Sequence, residues 1–132
     1  MIRISVTGRL ATGVGQATGF TRLDWVRAAF RTHFGIDPHP GTVNLLVEEQ
    51  TARASWAAVK AGSAILLHPP RTDWCDARLW RARIADRIPA AIVLPDVASY
   101  PEGQIELVAA VRVRDVLGIA DGASVTIEVE VP

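Results

Sequence analysis

The sequence predicts a mainly β protein, a compact β-barrel with one main helix and short helical turns. Short apolar segments recur along the chain, separated by turn sequences such as Pro40-Gly41 and Asp121-Gly122. One segment after residue 21 instead has apolar residues at helical spacing. Many short strands and one helix within 132 residues fit a small closed sheet. Since we see no repeat or linker, we expect a single domain over residues 1–132.

The N-terminal part of the chain supplies a strand and the main helix. Ile2–Leu10 alternates apolar and polar residues, as a strand with one buried face does. Thr21 stands three residues before Asp24, a spacing typical of a helix N-terminal cap. Gly35 stands where a left-handed residue commonly ends a helix. The helix is therefore predicted over Leu23–Phe34.

Four strands are predicted in the middle of the chain: residues 43–47, Ser63–Leu67, Trp74–Ile84 and Ala90–Leu94. The first and third alternate, whereas the second and fourth are apolar runs typical of buried strands. Between the first two strands, Glu48–Ser55 is polar and indicates a turn or loop. The next stretch, Trp56–Ala61, fits no single period.

The C-terminal part predicts two more strands and a short helix. Residues 100–103 form a turn sequence, and Ile105–Ala110 follows as a strand interrupted by one carboxylate, Glu106. Val113–Leu117 is predicted as a short helix closed by Gly118. After Asp121-Gly122, alternation over residues 125–131 indicates the last strand.

Composition excludes several classes of protein. Apolar residues make up 49% of the chain and charged residues 21%, as in ordinary globular domains. Fourteen basic residues balance fourteen acidic ones, so no bulk charge favours nucleic acid or an anionic membrane. No apolar run approaches the roughly 20 residues of a membrane helix, and the alternating N-terminus is unlike a signal peptide. Cys75 has no partner for a disulfide, and we expect a cytoplasmic protein.

The most informative motif is Pro40-Gly41-Thr42-Val43-Asn44. After the Pro-Gly bend, Thr42 and Asn44 are spaced i, i+2, which puts both side chains on one side of an extended segment. Their oxygens suit a Mg²⁺ ion that keeps waters and phosphate ligands, although Thr and Asn also satisfy backbone groups at turns. The turn at Gly13-Val14-Gly15 can cradle phosphates with its N–H groups, or be a plain turn. Together they suggest a small nucleotide-using enzyme.

The order of motifs resembles that of the CTP-dependent riboflavin kinases. The shared series is the glycine turn, the helix, PGTVN, a proline-tyrosine-proline region, IEL, VRVRDVLGI and DG. The likeness is strongest over Gly35–Leu45 and Gln104–Val125. It implies a six-stranded cradle-loop barrel, and transfer of the γ-phosphate of CTP to the ribityl 5′-hydroxyl of riboflavin, giving FMN and CDP.

The resemblance also implies roles for individual residues. Thr42 and Asn44 would bind Mg²⁺, and Glu106 would contact the flavin as the catalytic residue, accepting the hydroxyl proton or holding the ribityl chain. Ala98 and Ser99 would line the flavin site. Two segments would bind the nucleotide: a loop of Gly13, Val14, Gly15, Gln16, Ala17 and Thr18, and a later segment of Val111, Arg112, Val113 and Arg114.

Two departures from the family pattern keep other functions open. Ala17 stands where the family loop has a third glycine, and Val97-Ala98 stands where it has an Arg and a hydroxyl residue. The alternatives are a flavin- or nucleotide-binding module without turnover and a kinase for a different small alcohol. A DNA-binding barrel would share VRVRDVLGI and DG, but the neutral charge argues against it. We expect riboflavin and CTP as partners, no nucleic acid or membrane, and a monomer or small homo-oligomer.

The tryptophans and the cysteine have less specific patterns. Four tryptophans are available to stack on an isoalloxazine ring, but packing in the core or at its rim is the favoured role: Trp25, Trp56, Trp74 and Trp80. Cys75 lacks the sequence signature of a nucleophile, and we expect it to be buried or half-buried.

Overall fold

The computed structural model describes residues 1–11 and 22–132. Within these ranges the elements follow one another as β1 (Ile2–Ala11), α1 (Asp24–Phe34), β2 (Val43–Leu46), α2 (Gln50–Ala61), β3 (Ile65–Leu67), β4 (Ala77–Ile84), β5 (Ile88–Pro95), β6 (Gln104–Ala109), α3 (Val113–Leu117) and β7 (Ser124–Val131). None of the helices in these ranges has the length and apolar character needed to cross a membrane.

The strands close into an antiparallel barrel. Their order is β4-β5-β6-β2-β1-β7, and β7 pairs back onto β4 to complete a ring of six. On the edge away from β5, β4 pairs with two strands. Its first residues pair with β3, and its last residues, Ala82–Ile84, pair with β7. β3 therefore lies outside the ring as an added edge strand. The predicted six-stranded barrel is confirmed.

The barrel interior is filled by the inward-facing residues of every ring strand and by one face of α2. Ala52, Trp56 and Val59 of α2 belong to this inner core, at the i, i+4, i+7 spacing of one helix face. Trp56 meets the edge of Trp80 with ring centroids 5.8 Å apart. The Trp80 indole N–H donates to the carbonyl of Ser63 at 2.9 Å. Core packing, the favoured role for these two tryptophans, is what the structure shows.

A second apolar cluster covers the opposite face of the same sheet. Val26, Phe30 and Phe34 of α1 pack against outward-facing residues of β4, β5 and β6, which include Leu79, Ala91, Val93 and Val108. The sheet is thus apolar on both faces where α1 lies. The helix ends as predicted, because Gly35 takes the left-handed conformation (φ 66°) and its N–H donates to the carbonyl of Arg31.

The structure corrects several details. Gln50–Ala61 forms α2, where the sequence indicated a loop and an unassigned stretch, because the polar residues of its exposed face mask the apolar period. Leu23 occupies the N-cap of α1 without a side-chain hydrogen bond, and Thr21, the predicted cap residue, lies outside the described residues. β4 begins at Ala77, which leaves Trp74 in a loop with Cys75, and the thiol is exposed rather than buried.

The β4–β5 turn yields a stability prediction. Ala85 and Asp86 have left-handed backbone (φ 51° and 55°), and the Arg87 N–H donates to the Ile84 carbonyl at 3.0 Å. This conformation costs a residue with a Cβ about 1 kcal/mol or more. Ala85→Gly should therefore raise the free energy of unfolding by about 0.5–1 kcal/mol in urea denaturation.

The matched control for this change is Ala120→Gly, at an exposed position without positive φ. There the added chain entropy of glycine should lower stability by about 0.5 kcal/mol. Equal losses for Ala85→Gly and Ala120→Gly would contradict the strained turn.

Candidate active site on the outer face of the barrel

The register between β2 and β6 places two predicted site residues side by side. Asn44 is directly opposite Glu106. Leu45 and Ile105, their neighbours along the chain, belong to the inner core, so Asn44 and Glu106 project from the outer face. Directly opposed side chains on one face are within contact distance. The strand pairing therefore joins the predicted metal ligand and the predicted catalytic carboxylate.

Glu106 is completely buried and hydrogen-bonded at both of its oxygens. The Thr42 hydroxyl donates to Oε2 at 3.1 Å, and the Tyr100 hydroxyl donates to Oε1 at 2.8 Å. The Gln104 amide makes a longer contact to Oε1 at 3.4 Å. The exposed fraction of Glu106 is 0%. Burying a carboxylate costs free energy unless hydrogen-bond donors surround it. These contacts therefore reduce the free-energy cost of burying Glu106.

Gln104 links the carboxylate to Asn44. Its Nε2 lies 3.4 Å from Asn44 Oδ1, the same distance as from Glu106 Oε1. Both amide residues are buried. The preceding residue, Gly103, approaches β2 so closely that a Cβ there would lie 2.7 Å from the Val47 carbonyl oxygen. A glycine at 103 thus permits the strand contact that brings Gln104 to the site.

Tyr100 reaches Glu106 from the turn between β5 and β6. Its backbone N–H donates to the Val97 carbonyl at 3.0 Å, which closes the turn. Burial raises the pKa of the Tyr100 hydroxyl well above its ordinary value, and the hydrogen bond to Glu106 raises the pKa further. The phenol is therefore a permanent donor over the physiological range.

The predicted flavin wall lies on this same turn. Ala98 and Ser99 are exposed, and the turn ends in Tyr100. The sequence predicted flavin contacts at Ala98, Ser99 and Glu106 and assigned no role to the side chains of Tyr100 and Gln104. Gln104 has a usable signal, because a polar residue two positions before Glu106 in a strand shares its face. Tyr100 belongs to the proline-tyrosine-proline motif, but the motif does not predict the direction of a turn side chain.

The predicted nucleotide-binding segment, residues 111–114, lies between β6 and the first turn of α3 and shares a groove with Thr42. A small groove of about 120 Å³ lies between the Pro40-Gly41-Thr42 bend and residues 111–114. Arg112 pairs with Asp115, and Arg114 pairs with Asp121. These pairs lie at the surface, where an ion pair contributes little stability, so a phosphate can compete for either guanidinium.

The predicted glycine loop, which comprises Gly13, Val14, Gly15, Gln16, Ala17 and Thr18, lies outside the described residues. β1 ends at Ala11, directly opposite Asn44. Among the residues that the structure does describe, no group of three or more His, Cys, Asp or Glu side chains could hold a metal ion. Thr42 and Asn44, the predicted metal ligands, offer neutral oxygens beside the Glu106 carboxylate.

The remaining tryptophans and a wide groove lie away from this carboxylate. Trp25 and Trp74 stack with ring centroids 6.0 Å apart, and Trp25 packs against the second apolar cluster rather than the barrel interior. The wide groove, of about 800 Å³, is lined by Phe34, Ile88 and several arginines. It borders the small groove at Val111, but the side chains around Glu106 do not line it.

The match to a family model and the similarity to individual proteins agree on one family. A family model, CTP-dep_RFKase (domain of unknown function DUF120), matches residues 10–129. The chain is similar to the riboflavin kinase of Pyrobaculum calidifontis, with 36% identity over 96% of this chain and 60% of that protein. Its identity to the riboflavin kinase of Methanocella arvoryzae is 32%, over 93% of this chain and 56% of that protein.

A third relative differs in length. The riboflavin kinase of Methanobrevibacter smithii is 29% identical over 95% of this chain and 99% of that protein. The chain thus spans little more than half of the first two relatives and nearly all of the third.

The state of Tyr100 can be tested directly, because it is the single tyrosine in the sequence. In a spectrophotometric titration of the native protein, phenolate absorbance should appear only well above pH 10, whereas the protein in denaturant should titrate at about pH 10. Because the pKa is raised on folding, its contribution to stability is intact below about pH 10 and declines at higher pH. Native ionisation near pH 10 would contradict the buried hydrogen bond.

Proposed function

The chain belongs to the CTP-dependent riboflavin kinase family, and from this we propose that it transfers the γ-phosphate of CTP to the ribityl 5′-hydroxyl of riboflavin, giving FMN and CDP. The observation that carries the proposal is the buried carboxylate of Glu106, in contact with Thr42 and across from Asn44. This chain covers almost the whole length of one riboflavin kinase to which it is similar. That coverage supports the proposal that residues 1–132 are sufficient for the activity.

Glu106 is the group that would act on the acceptor. Phosphoryl transfer to an alcohol asks the protein mainly for positioning and for charge stabilisation. As the riboflavin hydroxyl oxygen bonds to the γ-phosphorus and the bond to the CDP oxygen breaks, the hydroxyl proton would pass to the Glu106 carboxylate. The Thr42 hydroxyl beside Oε2 places this acceptor next to the proposed metal ligands.

Thr42 and Asn44 would hold Mg²⁺ together with the nucleotide phosphates. A hydroxyl and an amide carbonyl are hard oxygen donors, and the hydroxyl oxygen keeps a lone pair while it donates to Glu106. The residues present therefore fit this ion. When bound, Mg²⁺ would neutralise charge on the phosphates. Because both ligands are neutral, we expect weak metal affinity without nucleotide.

The nucleotide would lie between Thr42 and residues 111–114. The small groove at this position supports the assignment, and its two arginines supply the positive charge that phosphates require. The glycine loop from Gly13 to Thr18 would complete the nucleotide site with backbone N–H groups. The preference for CTP over ATP is proposed from the family alone.

A kinase for a different small alcohol is the second candidate. It is favoured by one observation: the turn beside Glu106 exposes Val97 and Ala98, which offer no polar side chain to a flavin. In that case the metal and nucleotide residues would act as described, and only the acceptor would change.

The first test is FMN formation from riboflavin and Mg²⁺, with CTP or ATP supplied in parallel. We expect FMN with CTP, and a loss of at least about 100-fold when Thr42→Ala and Asn44→Ala are combined, because the phosphates lose their metal. Thr126→Ala is the matched control, since Thr126 is an exposed β7 residue bonded to Thr7. Saturable flavin or CTP binding by calorimetry without FMN from either nucleotide would exclude a riboflavin kinase and leave a kinase for another acceptor or a binding module.

Glu106→Gln separates the two roles open to the carboxylate. If Glu106 accepts the proton, kcat should fall about 10²- to 10⁴-fold with a nearly unchanged KM for riboflavin. If it only holds the ribityl chain, KM for riboflavin should rise while kcat changes little. Steady-state kinetics at saturating CTP measure both quantities, and wild-type values for both would exclude Glu106 from the reaction.

A further inference from the structure

The two oxygens of Glu106 have different environments. Oε2 faces the Thr42 hydroxyl, on the side of the proposed metal ligands, whereas Oε1 receives Tyr100 and Gln104. We propose that Tyr100 and Gln104 are positioning residues that hold Oε1, so that Oε2 is presented to the acceptor hydroxyl and to Thr42. This inference rests on the proposed kinase function and adds two residues to its machinery.

Tyr100 supplies the stronger of the two contacts. Rotation about the last torsion of a glutamate is soft, so its carboxylate has no orientation of its own. A phenol at 2.8 Å from Oε1 selects one orientation, and a hydrogen bond to a charged acceptor is stronger than a neutral one. The hydrogen bond from the Tyr100 N–H to the Val97 carbonyl closes the turn. This bond fixes the backbone from which the phenol extends.

Gln104 couples the carboxylate to the metal side of the site. A side-chain amide nitrogen carries two hydrogens, and Gln104 Nε2 lies 3.4 Å from both Glu106 Oε1 and Asn44 Oδ1. Both partners are acceptors, so the contact also sets which atom of the Asn44 amide faces the site. The side chain of Gln104 is 2% exposed, so water has little access to replace it.

The residues around Glu106 agree with different roles for its two carboxylate oxygens. Thr42 and Asn44 face it from β2, Val93 is opposite on β5, and Gln104 shares its strand and face. Tyr100 is the titratable side chain in this set, and burial raises the pKa of its hydroxyl, which keeps it a donor. Arg112 and Arg114 line the neighbouring groove.

The test is a double-mutant cycle between Tyr100→Phe and Glu106→Gln, read as kcat for FMN formation. Tyr100→Phe should lower kcat about tenfold in the wild-type background and leave KM for CTP within about twofold. In the Glu106→Gln background the same change should lower kcat less than about twofold, because its effect passes through the carboxylate. Equal effects in both backgrounds, or a wild-type kcat for Tyr100→Phe, would overturn the proposal for Tyr100.

Gln104→Met tests the second residue, because Met has a similar length but no donor. We expect a loss in kcat of about threefold to tenfold, again much reduced in the Glu106→Gln background. Gln50→Met is the matched control, since Gln50 is the exposed first residue of α2. An equal loss for Gln104→Met in both backgrounds would assign Gln104 a purely structural role.

A second readout separates this inference from the kinase proposal. The same cycle can be measured as free energies of unfolding in urea, without any substrate. Coupling between Tyr100 and Glu106 in stability, together with a wild-type protein that makes no FMN, would reject the kinase and retain the contact. If the wild-type and variant proteins all fold, and their free energies of unfolding show no coupling between Tyr100 and Glu106, the positioning role is rejected whatever the activity.

Discussion

The structure depends on one demanding interaction, the enclosure of the Glu106 carboxylate. An ionised group removed from water costs several kcal/mol unless donors replace its hydration. Here the donors come from three places in the chain: the bend before β2, the turn between β5 and β6, and β6 itself. The same contacts therefore stabilise the acid and fix the relative positions of the segments that form the proposed active site.

The two faces of the sheet have different roles, because the inner face forms the core and the outer face carries the proposed site. Inward residues of the ring strands form the core with α2, while the outer face carries α1 and, further along the strands, the polar group around Glu106. A register shift of one residue in β6 would turn Glu106 into the barrel and expose Leu107. The close approach of Gly103 to Val47 supports the observed register. Packing and site geometry are thus determined by the same strand alignment.

Most of the architecture was predictable, because alternation, turn sequences and glycine caps are local signals. Thr42, Asn44 and Glu106 were also accessible from their motifs, and the structure brings them together. The turn or loop predicted over Glu48–Ser55 was wrong, and Trp56–Ala61 was left unassigned, because an amphipathic helix with a polar first turn resembles a loop in sequence. Tyr100 was part of a recognised motif, but its contact with Glu106 was not predicted. That contact follows from the pairing of β2 with β6 and from the course of one turn, which are tertiary properties that no local pattern encodes.

The position of the proposed site outside the barrel has an evolutionary consequence. Many enzymes place reacting groups in their core, where a substitution that improves packing often impairs activity. In this protein the inner core and Glu106 occupy opposite faces of β6, so the interior can change in sequence without contacting the acceptor. The turn between β5 and β6 is less independent, because Tyr100 at its end packs against the inner core, although Val97 and Ala98 are exposed. Under the proposed function, selection could alter acceptor preference at these two exposed positions and thermal tolerance at interior positions.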